Sequence, residues 1–297
     1  MDLKCLNIEL QRVLPEWEGE IATALEGVAS LADGWGVTVE RVLAGATCSI
    51  CLAGVRDGQK VVIRAPLAEE ERTSGLAALR AYAELGGVPV LECHEHSGTT
   101  LMPLLCPGTN LDEADLSDEE RLAVAAKLAT KLHRAENFGV WTHERWFQEL
   151  WTFELPKGSA VNRELFEIGR TRARQLLEST CERAVLHGDL HHYNILQNGS
   201  EWVAIDPKGV YADPAFEPVA FLRNPIHTLA EDLHLVQTQA RRVQLLVDLM
   251  NLSAERIWGW AVAQISLDAA WSSGEWSEKW AKIALATYEA GYLLGCK

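Results

Sequence analysis

The chain has 297 residues, 48% of them apolar, with seven cysteines and a formal net charge of −15. That length allows one large domain or two modest lobes, and odd, scattered cysteines behind a start that makes a poor export signal point to a reducing cytoplasm rather than a disulfide framework. The acidic balance repels phosphate backbones and anionic bilayers, which excludes nucleic acid and membrane as partners and favours a cationic small ligand, and no apolar run is long enough to span a bilayer.

Residues 1–33 read as a helical extension, with Ile21, Leu25, Val28 and Ala29 on one face. From Val37 the texture turns β-branched, and three strands follow: 37–43, 49–55 and 61–64. The first two are separated by Ala44–Thr47, and Asp57-Gly58 makes a hairpin turn before the third. Glu69 to Leu85 reads as a helix with acids in its first turn. Two further strands are expected at 88–93 and 99–105, so the N-terminal part carries five strands and one helix. The boundary between lobes falls near Pro107-Gly108, giving an N-terminal lobe over 1–106 and a C-terminal lobe over 107–297. The nine residues from Asp112 to Glu120 hold six acids, which reads as a solvated linker and helix start. Beyond Leu116 the pattern is helical, except for two short strands at 194–196 and 202–205 joined across Asn198-Gly199. The fold class is therefore α+β, a small antiparallel sheet lobe followed by a larger helical lobe.

The chemistry concentrates between His187 and Asp206. Asp189 and Asn194 stand five residues apart, His187 precedes the aspartate by two, and Asp206 ends the second short strand. This set suits phosphoryl transfer, where catalysis is mostly positioning and charge neutralisation. One carboxylate, Asp189, meets the attacking hydroxyl. Asn194 and Asp206 offer the oxygen ligands that Mg²⁺ prefers. His187 reads as a structural residue of the loop. His191, His192, Cys93–His96 and the Cys48/Cys51 pair lack complete zinc spacings and read as ordinary polar or buried positions.

His-Gly-Asp-Leu-His-x-x-Asn over His187–Asn194, followed by Ile-Asp-Pro at 205–207 and by Asp213-Pro-x-Phe-Glu217, resembles the aminoglycoside phosphotransferase family, in its streptomycin 6-kinase and hydroxyurea phosphotransferase branch. The stretch Ala263–Trp271 shares the likeness, which spans roughly residues 36–285. The resemblance implies a two-lobed protein-kinase-like fold that uses ATP and Mg²⁺. It implies a nucleotide loop over 43–49, in which Gly45 lets backbone approach phosphate and Thr47 and Ser49 donate to it. It implies an adenine-binding linker strand over 101–105, flanked by Pro103 and Leu105. The family's third strand carries a phosphate-binding lysine; here Arg64 occupies that place, with Glu71 as first choice of helix partner and Glu70 as second. Arginine keeps the charge but is not an equivalent donor. Asp213 and Glu217 are candidates for loop stabilisation or for recognition of substrate cations, and Asp268 and Trp271 for lining the acceptor cleft.

The resulting expectation is a small-molecule kinase, cytoplasmic, monomer or homodimer. Its acceptor is an aminoglycoside-type antibiotic or hydroxyurea, which would make it a resistance enzyme. Two alternatives stay open: a kinase of a metabolic sugar, amino sugar or amino alcohol, and a nucleotide-binding regulator with weak or no transfer, which Arg64 motivates.

Overall fold

A computed structural model describes residues 3–69, 71–134, 136–272 and 274–296. Pro15 divides the expected helical start. Helix α1 covers Leu3–Val13 and α2 covers Glu18–Gly34, with one tight turn at Pro15–Trp17 between them. Proline lacks the N–H that continuing α1 would need, yet serves well as the first residue of a new turn. On α2 the buried positions are Ile21, Leu25, Val28 and Ala32, so Ala32 takes the place expected of Ala29, which is only half-buried. These residues join Leu6, Leu10 and Leu14 in one apolar core with Ile50, Leu52, Val61, Ile63 and Leu101 of the sheet.

That sheet contains β1 (Thr38–Val42), β2 (Ser49–Arg56), β3 (Gln59–Pro66), β4 (Glu92–His94) and β5 (Thr99–Pro103). It is antiparallel throughout, in the order β1-β2-β3-β5-β4. Asp57 and Gly58 both have positive φ, 51° and 77°, the geometry of a two-residue hairpin whose twist matches its strands. The helix expected over 69–85 is shorter. A wide π-type turn, Glu71–Gly75, leads into α3 (Leu76–Tyr82). Strand β4 starts later than expected because Pro89 has no N–H to give a ladder. The N–H of Val88 instead donates to the Ala204 carbonyl at 2.9 Å, and Ala204 N–H to Gly86 at 2.8 Å.

The rest of the chain begins with β6 (Pro107–Asn110) and α4 (Asp118–Leu132). Ser117 and Glu120 form a reciprocal capping box at the start of α4, which satisfies two otherwise orphaned donors. Next come β7 (Trp141–Thr142), α5 (His143–Trp146), α6 (Arg163–Ser179), β8 (Ala184–Leu186), β9 (Ile195–Asn198), β10 (Glu201–Ala204) and β11 (Val210–Ala212). Helices α7 (Val219–Leu222), α8 (Ile226–Glu231), α9 (Leu235–Met250), α10 (Ala254–Trp271) and α11 (Gly274–Leu294) complete the order. Strands β7, β11 and β8 form a small sheet with β11 in the middle. Helix α10 packs against α6 and α11 and buries Trp258 and Trp260, whereas Trp276 on α11 is 49% exposed.

Two compact units result. The first is residues 1–108 with 197–208; the second is 109–196 with 209–297. Residues 197–208, with β10 and Asp206, thus belong to the first unit, where Ala204 exchanges backbone hydrogen bonds with Val88 and Gly86, while β10, β9 and β6 form a separate three-stranded sheet. No described helix is long and apolar enough to cross a membrane.

Candidate active site

In the first unit, two cations and two carboxylates converge. Arg64 lies on β3 opposite Cys51 of β2 and Thr100 of β5. Its side chain is 7% exposed, and one guanidinium nitrogen donates to Glu71 Oε2 at 2.6 Å and also to Asp206 Oδ1. Lys208 Nζ donates to Glu71 Oε1 and stands 3.7 Å from Asp206 Oδ2. Glu71 is 1% exposed, so it survives as a buried carboxylate only because two cations and a hydroxyl compensate it. Burial alone would lower the pKa of Arg64, but Asp206 and Glu71 outweigh it and hold the guanidinium more firmly charged than usual. Burial pushes the neighbouring Cys51 thiol up to about 12, with Arg64 opposing, so it is an inert thiol at neutral pH. Asp206 itself has φ 58°, the left-handed region. A non-glycine residue there is uncommon and costs about 1 kcal/mol or more, a strain often found at functional positions.

The other expected nucleotide residues are distributed around this cluster. Ser49 is buried, and its hydroxyl donates to Glu71 Oε2 at 2.7 Å. Its single proton is therefore already used, which removes the reason for expecting it to donate to phosphate. Thr47 is exposed, and its hydroxyl lies 3.6 Å from Cys48 Sγ. Gly45 is exposed with φ 102°, a conformation open to glycine but hardly to other residues. Pro103 ends β5 opposite Val61, three register steps from the Arg64–Thr100 pair, or roughly 10 Å along the strand. Leu105 follows it, 8% exposed. Glu70 lies outside the described residues.

In the second unit, Asp189 lies in the loop between β8 and β9. The loop is fixed from beneath by Glu217, whose carboxylate accepts from the N–H groups of His187 (2.7 Å) and Gly188 (3.1 Å). Gly188 has φ 81°. His187 is fully buried, and its Nδ1 accepts from Asp189 N–H at 3.3 Å. Asn194 Nδ2 donates to the Asp189 carbonyl at 2.9 Å, a bond that leaves the amide oxygen, the atom Mg²⁺ would take, still available. His192 stacks on Phe221 with ring centroids 3.8 Å apart, and burial, aided by Arg242, lowers its pKa to about 2.

The carboxylate of Asp189 has a cationic neighbour that the sequence reading overlooked. Arg223, directly after α7, donates to Asp189 Oδ1 at 2.6 Å and to Asp268 Oδ2 at 2.8 Å. Gln264 donates to Asp268 Oδ1 at 2.8 Å and accepts from Trp146 Nε1 at 3.0 Å. Both oxygens of Asp268 are therefore engaged within the protein. Lys208 was overlooked as well, although it stands two residues after Asp206. The available signal for Arg223 was a lone charge closing the apolar run Val219–Leu222, which only a buried counter-ion would tolerate.

Of the two roles expected for Asp213 and Glu217, their surroundings favour loop stabilisation. Asp213 is 5% exposed. Its Oδ1 accepts from Ala215 N–H at 3.0 Å, and its Oδ2 accepts from Arg256 Nε at 2.6 Å and Trp260 Nε1 at 2.9 Å. Glu217 is 2% exposed. Burial would raise its pKa, but His133, 3.4 Å away, and His187 outweigh this and keep it below the usual carboxylate range. Their lone pairs hold loops and helices together, so recognition of substrate cations has no free oxygen to use. The side chain of Trp271 lies outside the described residues.

These arrangements agree with the relationships of the chain. Residues 35–275 match the family described as aminoglycoside/hydroxyurea antibiotic resistance kinase. The chain is 27% identical over 269 residues to streptomycin 6-kinase of Streptomyces glaucescens, covering 86% of this chain and 85% of that one. It is 28% identical over 262 residues to hydroxyurea phosphotransferase of Kitasatospora aureofaciens, covering 85% and 74%. Among solved structures, choline kinase LicA from Streptococcus pneumoniae superposes with a TM-score of 0.64 at 13% identity, covering 89% of this chain and 98% of that one; that likeness establishes the protein-kinase-like fold. With the family matched over most of its length, the chain is a small-molecule phosphotransferase and belongs to the aminoglycoside/hydroxyurea antibiotic resistance kinase family.

Proposed function

We propose that this protein transfers the γ-phosphoryl group of ATP to a hydroxyl of a streptomycin-like aminoglycoside. Asp189 accepts the hydroxyl proton as the acceptor oxygen bonds to phosphorus; the bond to the β-phosphate oxygen breaks, and ADP leaves. Arg64 and Lys208, both anchored on Glu71, neutralise phosphate charge, while Gly45 and Thr47 approach the phosphates through the nucleotide loop and Pro103 and Leu105 flank the adenine. Asn194 and Asp206 would hold Mg²⁺. When bound, the ion neutralises charge on the phosphate oxygens. Each residue by itself suits such an ion: Asn194 keeps its amide oxygen, and the Asp206 carboxylate, engaged by Arg64 and 3.7 Å from Lys208, is 31% exposed. The observation that carries the reading is the Asp189 carboxylate, 16% exposed and held at one oxygen by Arg223, in a loop of the kinase type. A net charge of −15 favours a cationic acceptor by long-range attraction.

The test is ADP release with ATP and Mg²⁺ against a panel of streptomycin, other aminoglycosides, hydroxyurea, sugars and amino alcohols. Streptomycin should be turned over, and Asp189→Ala should lower kcat by ~10³-fold or more. Rapid use of a sugar without turnover of streptomycin would overturn the acceptor assignment. Unchanged turnover in Asp189→Ala would overturn the mechanism. Mg²⁺-dependent ATP binding without ADP release on any acceptor would identify a regulator instead.

A further inference from the structure

A carboxylate that is free to rotate presents two equivalent oxygens to a reacting hydroxyl, and most of its orientations are unproductive. Asp189 is not free in this way. Its Oδ1 accepts from Arg223 at 2.6 Å, and Asn194 Nδ2 and His191 Nε2 stand 3.5 Å and 3.6 Å from Oδ2. Arg223 is itself immobilised. Its second terminal nitrogen is held by Asp268, Asp268 by Gln264 one helical turn earlier on α10, and Gln264 by Trp146 of α5. We propose that Arg223 is the positioning residue for Asp189, and that Asp268, Gln264 and Trp146 act on the reaction only through it, by bracing the guanidinium so that the Asp189 carboxylate keeps one orientation toward the acceptor hydroxyl. This rests on the reading of Asp189 as the group that meets the hydroxyl.

The chemistry of the pair favours this role. A guanidinium is a planar fork that grips two carboxylates at once, which a lysine ammonium cannot do with the same geometry. Burial alone would lower the pKa of Arg223, but Asp268 and Asp189 outweigh it, so the cation stays charged. The arrangement reassigns Asp268 from contact with the acceptor to support of Arg223, because neither of its oxygens is left over. A purely structural pair would tie the end of α7 to α10 and leave catalysis alone.

The test uses the full chain with ATP, Mg²⁺ and streptomycin, and the variants Arg223→Met, Arg223→Lys, Asp268→Asn and Arg223→Met/Asp268→Asn. Arg223→Met should lower kcat by ~30- to 100-fold and Arg223→Lys by ~10-fold, with both KM values within ~3-fold of the parent, as expected for lost orientation. Asp268→Asn should lower kcat by ~3- to 10-fold, and the double variant should be no slower than Arg223→Met alone, because the two residues form one chain of action. If Arg223→Met fails to fold, Arg223→Lys and Asp268→Asn carry the same split. Parental kcat in a folded Arg223 variant would overturn the proposal. So would a rise in streptomycin KM in Asp268→Asn that multiplies with the Arg223→Met effect in the double variant, since Asp268 would then touch the acceptor. A crystal structure of the double variant separates this from the mechanism itself. The Asp189 side chain should lose its single orientation, and an unchanged rotamer would overturn the positioning role even if Asp189→Ala had already refuted the base.

Discussion

Replacing Asp213 distinguishes a structural carboxylate from a substrate contact. Its two oxygens cap the turn at Ala215, receive the indole N–H of buried Trp260 and neutralise Arg256. Asp213→Asn keeps the volume and an oxygen for the cap but removes the charge. Removing one partner of a buried pair costs about 3–5 kcal/mol. The lower end applies here, because the Arg256 side chain is 27% exposed and retains bonds to Thr180 and Ser179. Asp213→Ala also loses the cap, about 1 kcal/mol, and strands the indole donor, about 1–3 kcal/mol, for a total near 5 kcal/mol. At about 2–4 °C per kcal/mol for a unit of this size, melting should fall by roughly 6–12 °C for Asn and 10–20 °C for Ala. The assay is thermal unfolding monitored by tryptophan fluorescence, paired with steady-state kinetics at 20 °C. Streptomycin KM should stay within about 2-fold in whatever fraction remains folded. A melting shift below 2 °C combined with a large rise in KM would refute the structural assignment and return Asp213 to the acceptor.

Arg64→Lys should lower turnover by ~10-fold and weaken ATP binding, because one ammonium cannot serve Glu71 and Asp206 in the guanidinium's geometry; raised turnover would show that the cluster is not built around arginine. Stability should fall as pH drops below about 6.5, because His143 and His192 have pKa values lowered to about 3 and about 2, chiefly by burial. The unfolded chain takes up two protons that the folded one refuses, so stability is full above 6.5 and is lost below it at up to about 1.4 kcal/mol per pH unit for each histidine. Urea midpoints at pH 7.5, 6.5 and 5.5 measure this, and His143→Phe should halve the slope; equal slopes would refute it. Gly291→Ala would set a Cβ 2.5 Å from the Trp258 ring, which is 3% exposed and tied to the Thr287 carbonyl. Forcing α10 and α11 apart should cost about 1–3 kcal/mol in a urea titration, and a neutral result would mean that the ring has room to move.

The candidate catalytic segment is legible because its signal is local. Asp189, Asn194 and Asp206 sit within a short stretch whose spacing carries the chemistry, and the sheet announced itself through β-branched runs and Asp57-Gly58. Partners supplied from afar were not legible. Nothing near Asp189 in sequence indicates Arg223, and nothing near Glu71 indicates Lys208, since ion pairs between distant elements leave no periodicity. The pairing of Arg64 with Glu71 was reachable only through the resemblance. Asp213, Glu217 and Asp268 show the converse problem. Acidic residues beside a catalytic loop invite a substrate role, and only their burial and their occupied lone pairs reveal that they hold backbone, indole and guanidinium groups. Pro15 and Pro89 were visible, yet whether a proline bends, splits or merely shortens an element depends on where the neighbouring N–H groups find acceptors.

The division of the chain, 1–108 with 197–208 against the remainder, has a consequence for biogenesis. The strands β1–β5 leave the ribosome early, but the unit they belong to lacks Asp206, Lys208 and the backbone partner of Val88 until residues 197–208 have also been made. During that interval Arg64 has one of its two carboxylates and Glu71 one of its two cations. The nascent sheet must therefore wait, incompletely neutralised, while much of the helical half is translated. A gene fragment ending at Gly108 should behave as a client for chaperones rather than as a free-standing nucleotide-binding module.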